Sequence, residues 1–361
     1  MLKYRHYVFK CYDGRTLNYQ FIGGSRLVHS GDEQIYRQSD DDMPSFVGID
    51  TFLQGPLIQT AEGLKEYGAD VAIMGAPFDM GVVNRPGARF GPRAIRQAGY
   101  FGAPNDDLYH MGLRVYPTNT LKVVDFGDAN CPPSSLERSH LAIQEKVAQA
   151  VGAGAIPIVV GGDHSVTLPS ATAVAEHYGF GRVGMVHFDA HADTAPSTYG
   201  GVLASHSSPM RRLIESGAIP GKNFVQVGLR GYWPPHTLFD WMREQGMRWH
   251  QMSEIETRGF DAVLKDAISE ALDGPELIYL SVDVDVMDPA FAPATGTPEP
   301  GGLTSSELLK AVRHIVGSVQ IVAADIVEVA PDYEGPSNIT AEAAHRVILE
   351  IISAIAAGRK R

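Results

Sequence analysis

Short runs of apolar and β-branched residues recur along this chain, and stretches with the apolar spacing of helices separate them. The runs lie at 69–75, 122–127, 156–161, 182–188, 223–228, 276–284 and 319–326. Each run is apolar almost throughout, which is typical of strands buried on both faces, and strands that alternate with helices form parallel sheets. The pattern therefore predicts a three-layer α/β/α domain with a mostly parallel sheet.

The first part of the chain, residues 1–44, is rich in Tyr, Arg, Asp and Ser and has little periodicity. We expect an irregular N-terminal arm there, either tied to a neighbouring subunit or loose as a tail. No linker interrupts the regular pattern that follows, so residues 45–361 are predicted to form one domain.

Bulk composition excludes several classes of partner. The net charge of −12 and the pI of about 5.5 argue against a nucleic-acid or anionic-membrane surface, which needs a basic patch. Two cysteines, Cys11 and Cys131, cannot form a disulfide framework, so a reducing, cytoplasmic location is expected. No apolar run is long enough to span a membrane or to act as a signal peptide.

Ionisable residues follow four of the predicted strands at the point where each strand ends. They are Asp163 and His164, then Asp189, His191 and Asp193, then Asp283 and Asp285, and finally Glu328. In open α/β sheets, ligands bind beyond the carboxyl ends of the strands. We therefore expect these side chains to meet at one edge of the sheet.

The spacing of these residues predicts a metal site. In an extended chain alternate side chains point the same way, so Asp189, His191 and Asp193 would face one point. Four aspartates gathered there would repel one another unless positive charge compensates them, and two divalent cations would neutralise four carboxylates. Oxygen and imidazole ligands without thiolate suit divalent Mn, Zn, Ni, Co or Fe.

A purely structural interpretation treats these residues as solvated strand-end acids and helix caps. A single Asp-x-Asp pair fits that interpretation, but three such stretches after three apolar strands do not. Two neighbours of the proposed ligands are expected to be structural. His187 is predicted to lie in the core or to support a ligand, and Asp163 to support a ligand or cap a helix.

Several stretches resemble the ureohydrolase family of arginases, agmatinases and related guanidino-compound amidinohydrolases. They are GGDHS (161–165), HFDAHADT (187–194), SVDVDVMDPAFAPATGTPEPGGL (281–303) and DIVEVAP (325–331). PFDMGVVNRPGARFGPRAIR (77–96) and SFVGIDTFLQGP (45–56) resemble the agmatinase branch in particular. The resemblance covers roughly residues 45–357 and implies an arginase-type α/β/α fold.

The resemblance also implies a binuclear metal site with an assigned set of ligands. Asp189 and Asp283 would bridge both ions. His164 and Asp193 would complete the ligands of one ion, and His191 and Asp285 those of the other. The family is usually manganese-dependent, and nickel is the alternative.

The resemblance further implies which residues act on the substrate. His206 stands where the family has a proton-shuttle histidine, Glu328 where it has the glutamate that grips the guanidinium, and Asp193 would orient the attacking water. The family commonly has glycine after the histidine, whereas this chain has Ser207. That difference leaves the geometry of the loop, and the role of His206, open.

The substrate is predicted from the loop between Asp193 and His206, which has no charged residue. No charged partner for the α-carboxylate and α-amine of arginine is found in this loop, so arginine ranks low among the candidate substrates. Tyr199 and Trp233 are candidates for contact with the substrate, Trp233 by stacking on a cation. These features favour a small or weakly polar guanidine: free guanidine, an alkylguanidine or a biguanide such as metformin. The alternative is agmatine or a guanidino acid such as guanidinobutyrate or guanidinopropionate.

Two interpretations from other classes remain open. Metal-dependent deacetylases resemble ureohydrolases distantly but generally use one zinc ion, whereas the double Asp-x-Asp pattern favours two ions. A non-catalytic or partner-dependent subunit would keep the scaffold without independent activity, although the complete ligand set argues against it. The resemblance implies a homo-hexamer or trimer, with assembly with a related subunit as an alternative.

Overall fold

An eight-stranded parallel sheet forms the centre of the computed structural model, which describes residues 7–10, 16–19, 28–30, 33–35, 48–99 and 108–359. Its strands are β5 (Val71–Ala76), β6 (Val123–Asp128), β7 (Ile156–Gly161), β8 (Val183–Phe188), β9 (Phe224–Leu229), β10 (Arg248–Gln251), β11 (Leu277–Asp283) and β12 (Gln320–Val327). They are ordered β10-β9-β8-β11-β12-β7-β5-β6, and every neighbouring pair is parallel. The predicted three-layer α/β/α fold with a mostly parallel sheet is confirmed.

Helices cover both faces of the sheet. They are α1 (Ala61–Tyr67), α2 (Gly91–Ala98), α3 (Pro117–Thr120), α4 (Leu136–Gly152), α5 (Thr167–Tyr178), α6 (Pro209–Glu215), α7 (His236–Glu244), α8 (Met252–Arg258), α9 (Phe260–Leu272), α10 (Ser305–Val316) and α11 (Ile339–Arg359). Apolar residues of α2, α8, α9, α10 and α11 pack into one core, and those of α1, α4, α5, α6 and α7 into the other. Burial of both sheet faces explains why the strands are apolar throughout.

Each strand predicted from the sequence is present, with ends that differ from the prediction by at most two residues. The edge strand β10 was not predicted, because its sequence RWHQ is polar and short. It lies at the edge of the sheet, where polar side chains are tolerated, and pairs with β9 only. At the start of α10, Thr304 and Glu307 form the capping box that the Ser/Thr-to-Glu spacing indicates.

The N-terminal segment contributes two short antiparallel pairs to the described structure. Strand β1 (Tyr7–Lys10) pairs with β2 (Thr16–Tyr19), and β3 (Val28–Ser30) pairs with β4 (Glu33–Ile35). The remainder of the arm predicted at 1–44 lies outside the described residues. Within the part that is described, no helix is long and apolar enough to cross a membrane. The cytoplasmic location stays a prediction.

The strand order places the predicted site residues side by side. The strands whose carboxyl ends lead to His164, Asp189, Asp283 and Glu328 are β7, β8, β11 and β12, and these four are consecutive neighbours in the sheet. Because all four run in the same direction, their carboxyl ends open onto one edge.

Gly162 controls how closely the chain after β7 approaches a neighbouring loop. A Cβ atom at Gly162 would lie 1.6 Å from the carbonyl oxygen of Phe78, which is backbone and cannot turn away. Because Gly162 has no side chain, the chain after β7 can pack against the Phe78 backbone, and His164 follows two residues later.

We predict that Gly162→Ala lowers the free energy of unfolding by about 3 kcal/mol, because the added methyl group forces two backbone segments apart. Urea denaturation measures the effect. Gly152→Ala is the matched control, since a Cβ there meets nothing within 4 Å and lies in α4. This control should leave stability unchanged or raise it by about 0.5–1 kcal/mol. Equal unfolding midpoints for the two variants would contradict the packing argument.

Candidate active site and metal centre

The first group of predicted ligands surrounds the imidazole of His164. Its Nδ1 atom lies 3.1 Å from Asp189 Oδ2, 3.0 Å from Asp193 Oδ2 and 3.1 Å from Asp283 Oδ2. All four side chains are buried. One imidazole nitrogen and three carboxylate oxygens therefore converge on a single point at the edge of the sheet.

The second group lies beside the first and shares Asp189 with it. His191 Nδ1 lies 3.0 Å from Asp285 Oδ2 and 3.4 Å from Asp189 Oδ1. Since Oδ2 of Asp189 contacts His164 and Oδ1 contacts His191, this carboxylate stands between the two groups. The structure thus brings together the six predicted ligands, which form two adjacent clusters able to hold metal ions.

A buried chain of hydrogen bonds sets the protonation of His164. Asp325 accepts hydrogen bonds from the hydroxyls of Thr167, Tyr279 and Ser281, the last at 2.7 Å. Because the Ser281 hydroxyl donates to Asp325, its oxygen accepts the hydrogen of His164 Nε2, 2.9 Å away. The lone pair of His164 therefore lies on Nδ1, which is buried without a hydrogen-bond donor.

This arrangement fits a divalent metal ion. When the ring is neutral and the carboxylates are ionised, a buried imidazole lone pair faces carboxylate oxygens and neither group has a hydrogen to donate to the other. A cation between them would satisfy both kinds of ligand. The donor set contains nitrogen and oxygen only, as the sequence predicted.

His187 supports a ligand, in agreement with its prediction as a structural residue. The amide of Gln226 donates to the carbonyl of Ala192 and to Nδ1 of His187, both at 2.9 Å. A carbonyl only accepts, so the Gln226 orientation is fixed and His187 must carry its hydrogen on Nε2. That hydrogen points at Asp189 Oδ2, 2.9 Å away. Although His187 lies in the first cluster, neither of its nitrogens is free to bind a metal.

The local conformation differs from the extended chain assumed in the prediction. Residues 189–193 lie beyond β8 in an irregular turn, and Asp193 has a φ of 50°. Asp283 ends β11, and the chain then enters a 3-10 turn in which the Asp283 side chain accepts from the Asp285 amide. The predicted ligands converge because the chain turns at these points, and not because their side chains alternate along an extended strand.

The crowding of buried charges shifts the pKa values of the clustered side chains. Burial raises the pKa of Asp283 well above its usual range, and the charges of Asp285 and Asp189 raise it further. Burial lowers the pKa of His164, but its carboxylate neighbours more than reverse this and hold it well above 6.5. Without metal ions, protons are the only positive charge that these clusters can gather.

A cavity of about 640 Å³ opens directly above the two clusters. Its floor contains predicted ligands, and its wall contains His206 and Glu328. Tyr199 and Trp233 lie at its outer part and are 85% and 49% exposed. The described residues that line it include no lysine or arginine. Tyr232, which directly precedes Trp233, is fully exposed and does not line the cavity.

Glu328 is held by one oxygen and leaves the other without a partner. Its Oε1 accepts hydrogen bonds from the His164 amide at 2.8 Å and from His206 Nδ1 at 2.9 Å. Its Oε2 is buried and unpartnered. Glu328 lies directly after β12 and has a φ of 68°, a backbone conformation that is uncommon for residues other than glycine. The backbone therefore holds a fixed carboxylate with one oxygen free for a donor.

The ring of His206 is held from both sides. Nδ1 faces Glu328, and Nε2 accepts a hydrogen bond from the Val83 amide at 3.1 Å. Burial lowers the pKa of His206, but Glu328, Asp163 and Asp193 together raise it to about 9. The Val83 contact requires a free lone pair on Nε2, so it belongs to the neutral ring, which takes up a second proton only by releasing Val83.

Ser207 does not prevent His206 from reaching the cavity. The His206 amide donates to the Gly81 carbonyl at 2.9 Å, and the Ser207 carbonyl accepts from the Ala195 amide at 2.9 Å.

Asp163 accepts from the Gly81 amide and from the Ser165 amide, so it supports the loop that contains Gly81 and caps the turn that follows β7. Its prediction as a structural residue is confirmed.

Several supporting residues were not predicted: Ser281, Asp325, Gln226, Thr297 and the Val83 amide. Three of them carry a usable signal, because each is a polar residue inside an otherwise apolar strand: Gln226 in FVQVGL, Ser281 in LIYLSVD and Asp325 in QIVAADIV. A polar side chain buried in a central strand needs a hydrogen-bond partner. The Val83 contact comes from backbone and has no signal in the sequence.

The sequence matches the arginase family over residues 69–353. It is 40% identical over 295 residues to the guanidinopropionase of Pseudomonas aeruginosa, covering 81% of this chain and 87% of that protein. It is 38% identical over 294 residues to the mitochondrial agmatinase of Gallus gallus, covering 81% of this chain and 82% of that protein.

Solved structures give the same result. Proclavaminate amidino hydrolase from Streptomyces clavuligerus superposes with a TM-score of 0.76 at 34% identity, covering 88% of this chain and 100% of that one. The names of these two relatives refer to a guanidino acid and to agmatine.

We predict that Ser281→Ala weakens divalent-metal binding by about 10- to 100-fold, because the hydrogen on His164 Nε2 loses its acceptor and the tautomer is no longer fixed. Isothermal titration with MnCl₂ measures this. Ser139→Ala is the control, since that buried hydroxyl bonds only to the carbonyls of Pro132 and Ser135 at the start of α4. Wild-type affinity in the Ser281 variant would show that the hydroxyl does not orient His164.

Proposed function

The chain belongs to the arginase family, and from this premise we propose that it hydrolyses a guanidino compound to urea and an amine or ammonia at a centre of two divalent metal ions. The observation that carries the proposal is the pair of buried His/Asp clusters, joined by Asp189, at the floor of a cavity whose wall presents the free oxygen of Glu328.

We assign the metal ligands as two overlapping sets. His164, Asp189, Asp193 and Asp283 would hold one ion, and His191, Asp189, Asp283 and Asp285 the other. Two divalent ions at these positions would lower the pKa of a water molecule towards neutrality and stabilise the negative charge that develops when that water attacks.

Glu328 would bind and orient the guanidinium group. A guanidinium is planar and presents N–H donors, which suit a carboxylate acceptor. Oε1 of Glu328 is already occupied by two N–H donors, so Oε2 is the oxygen left for the substrate. A guanidinium bound there would lie above the metal clusters, with its plane fixed by the carboxylate.

His206 would supply the proton that the departing amine requires. An amine leaves the carbon only when it is protonated, and the imidazole ring is the natural acid near neutral pH. Its Nδ1 hydrogen shares the Glu328 carboxylate with the proposed substrate. His206 would donate from its doubly protonated form, with Nε2 released from the Val83 amide, and it would return to the neutral ring on losing that proton. A divalent cation bound to Asp193 would offset one of the negative charges that raise the pKa of His206 to about 9, and would therefore lower that pKa.

The substrate is proposed to be agmatine or an ω-guanidino acid, because relatives of this length and identity carry those names. A small or weakly polar guanidine is the second candidate. It is favoured by the lining of the cavity, where the described residues include no cation for a carboxylate tail. Tyr199 and Trp233 would then contact the tail, whichever class it belongs to.

The metal and the assembly are proposed from family resemblance. We propose Mn²⁺, with Ni²⁺ as the alternative, and a homo-hexamer, with a trimer or an assembly with a related subunit as alternatives. Urea release by the purified chain alone would exclude dependence on a second protein.

A substrate panel tests the proposed function. Urea release is measured with Mn²⁺ or Ni²⁺ for guanidine, methylguanidine, dimethylguanidine, metformin, agmatine, guanidinobutyrate, guanidinopropionate and arginine. We expect the highest kcat/KM for agmatine or one of the guanidino acids, and a low value for arginine. The highest value for guanidine or metformin would favour the second candidate. No urea from any compound, in folded protein loaded with metal, would contradict the reaction.

We predict that Glu328→Gln reduces kcat/KM by about 10- to 100-fold, mostly through KM, because a charge-assisted hydrogen bond to the substrate is lost. Oε1 must continue to accept from His164 and His206, so the new amide would point its own N–H groups at the guanidinium. Glu299→Gln is the control, since this carboxylate does not line the cavity. Unchanged kinetics in the Glu328 variant would remove the residue from the substrate site.

A further inference from the structure

Among the described residues, the side chain of Arg230 donates to backbone carbonyls alone, immediately beside the second metal cluster. We propose that Arg230 is a positioning residue for the half of the metal centre formed by His191 and Asp285. This inference rests on the proposed function, because it assumes that the two clusters hold two ions.

The guanidinium group holds the turn that carries Asp285. Nη2 donates to the carbonyl of Asp285 at 2.7 Å and to that of Met287 at 3.2 Å, and Nη1 donates to the carbonyl of Val286 at 3.2 Å. Three consecutive carbonyls of one turn thus point at one side chain. The backbone of Asp285 cannot rotate without breaking these hydrogen bonds.

The same side chain ties this turn to two other segments. Nη1 also donates to the Gly228 carbonyl at the end of β9, at 3.2 Å. Nε donates to the carbonyls of Glu299 and Pro300 at 3.2 Å and 3.1 Å. The loop that contains Glu299 also carries Thr297, which lines the cavity and donates to Asp285 Oδ2 at 3.3 Å. Arg230 therefore links the metal cluster to the wall of the cavity.

The backbone of Arg230 holds the other ligand of this half. Its amide donates to the carbonyl of Ala190 at 3.1 Å, and the amide of Ala190 donates to Asp285 Oδ1 at 3.1 Å. Ala190 lies between Asp189 and His191 in the chain. Arg230 thus fixes His191 through the main chain and Asp285 through its side chain.

The choice of acceptors explains why an arginine is needed. Every acceptor that the described part of the chain offers the guanidinium is a carbonyl oxygen, so no carboxylate oxygen of Asp189 or Asp285 is taken from the metal. A guanidinium has five N–H donors in a rigid plane, whereas a lysine ammonium has three donors at one point. Lysine could hold the Asp285 turn or the Glu299 loop, but not both.

The other half of the centre is held differently. His164 is oriented by Ser281 and Asp325, and neither of these residues contacts Arg230. Asp189 and Asp283 are shared by the two halves, but the histidine of each half has its own support. Loss of Arg230 should release one ion and leave the other, which a general loss of stability would not do.

The test is the number of Mn²⁺ ions per chain, measured by mass spectrometry of metals after desalting, and their affinities, measured by isothermal titration. The wild-type chain should bind two ions. Arg230→Met should retain one, and Arg230→Lys should bind the second ion about tenfold more weakly than wild type. Arg248→Met is the matched control, because that arginine donates to the Lys222 carbonyl at the far edge of the sheet and should keep two ions.

Each outcome decides the proposal. Two ions bound with wild-type affinity to Arg230→Met, or the equal loss of both ions, would overturn the role of Arg230. If Arg230→Met does not fold, the Arg230→Lys affinity decides, and a wild-type value would overturn it. A wild-type chain that binds fewer than two ions would overturn the proposed binuclear function itself, and this role would fall with it.

Discussion

Four aspartate carboxylates buried beside one another at the carboxyl ends of neighbouring strands are the constraint on which the structure of this site depends. Asp189, Asp193, Asp283 and Asp285 are all buried, and like charges at this spacing repel strongly in a medium of low polarity. The neighbouring histidines offset part of this charge only when they are protonated. A pair of divalent cations offsets all of it and leaves the histidines neutral, which is the form in which they bind metal.

The rest of the site can be understood as support for that cluster. Ser281 and Asp325 fix the tautomer of His164, Gln226 fixes that of His187, and Arg230 holds the Asp285 turn. All of these residues lie within or directly after central strands, where the backbone is rigid. The chemistry is therefore built on the sheet, whereas Tyr199 and Trp233, which would contact a substrate tail, lie on exposed loops. This division is consistent with the names of the relatives, which refer to different substrates.

Much of this could be predicted from the sequence, because it depends on local pattern. Apolar runs give the strands, and His164, Asp189, His191, Asp193, Asp283 and Asp285 follow them at strand ends that a parallel sheet must bring together. What could not be predicted depends on approach between distant segments. The contact of Val83 with His206 and the carbonyls gathered by Arg230 arise from loops far apart in sequence. The edge strand β10 was missed for a related reason, since its short polar sequence has no pattern of burial.

The proposed reaction requires two metal ions at the floor of the cavity. Crystals grown with MnCl₂ and measured at the manganese absorption edge would locate them by anomalous scattering. We predict two peaks for each chain, one among His164, Asp189, Asp193 and Asp283 and the other among His191, Asp189, Asp283 and Asp285. A single peak, or no peak, in crystals soaked at a saturating concentration of Mn²⁺ or Ni²⁺ would contradict a binuclear centre.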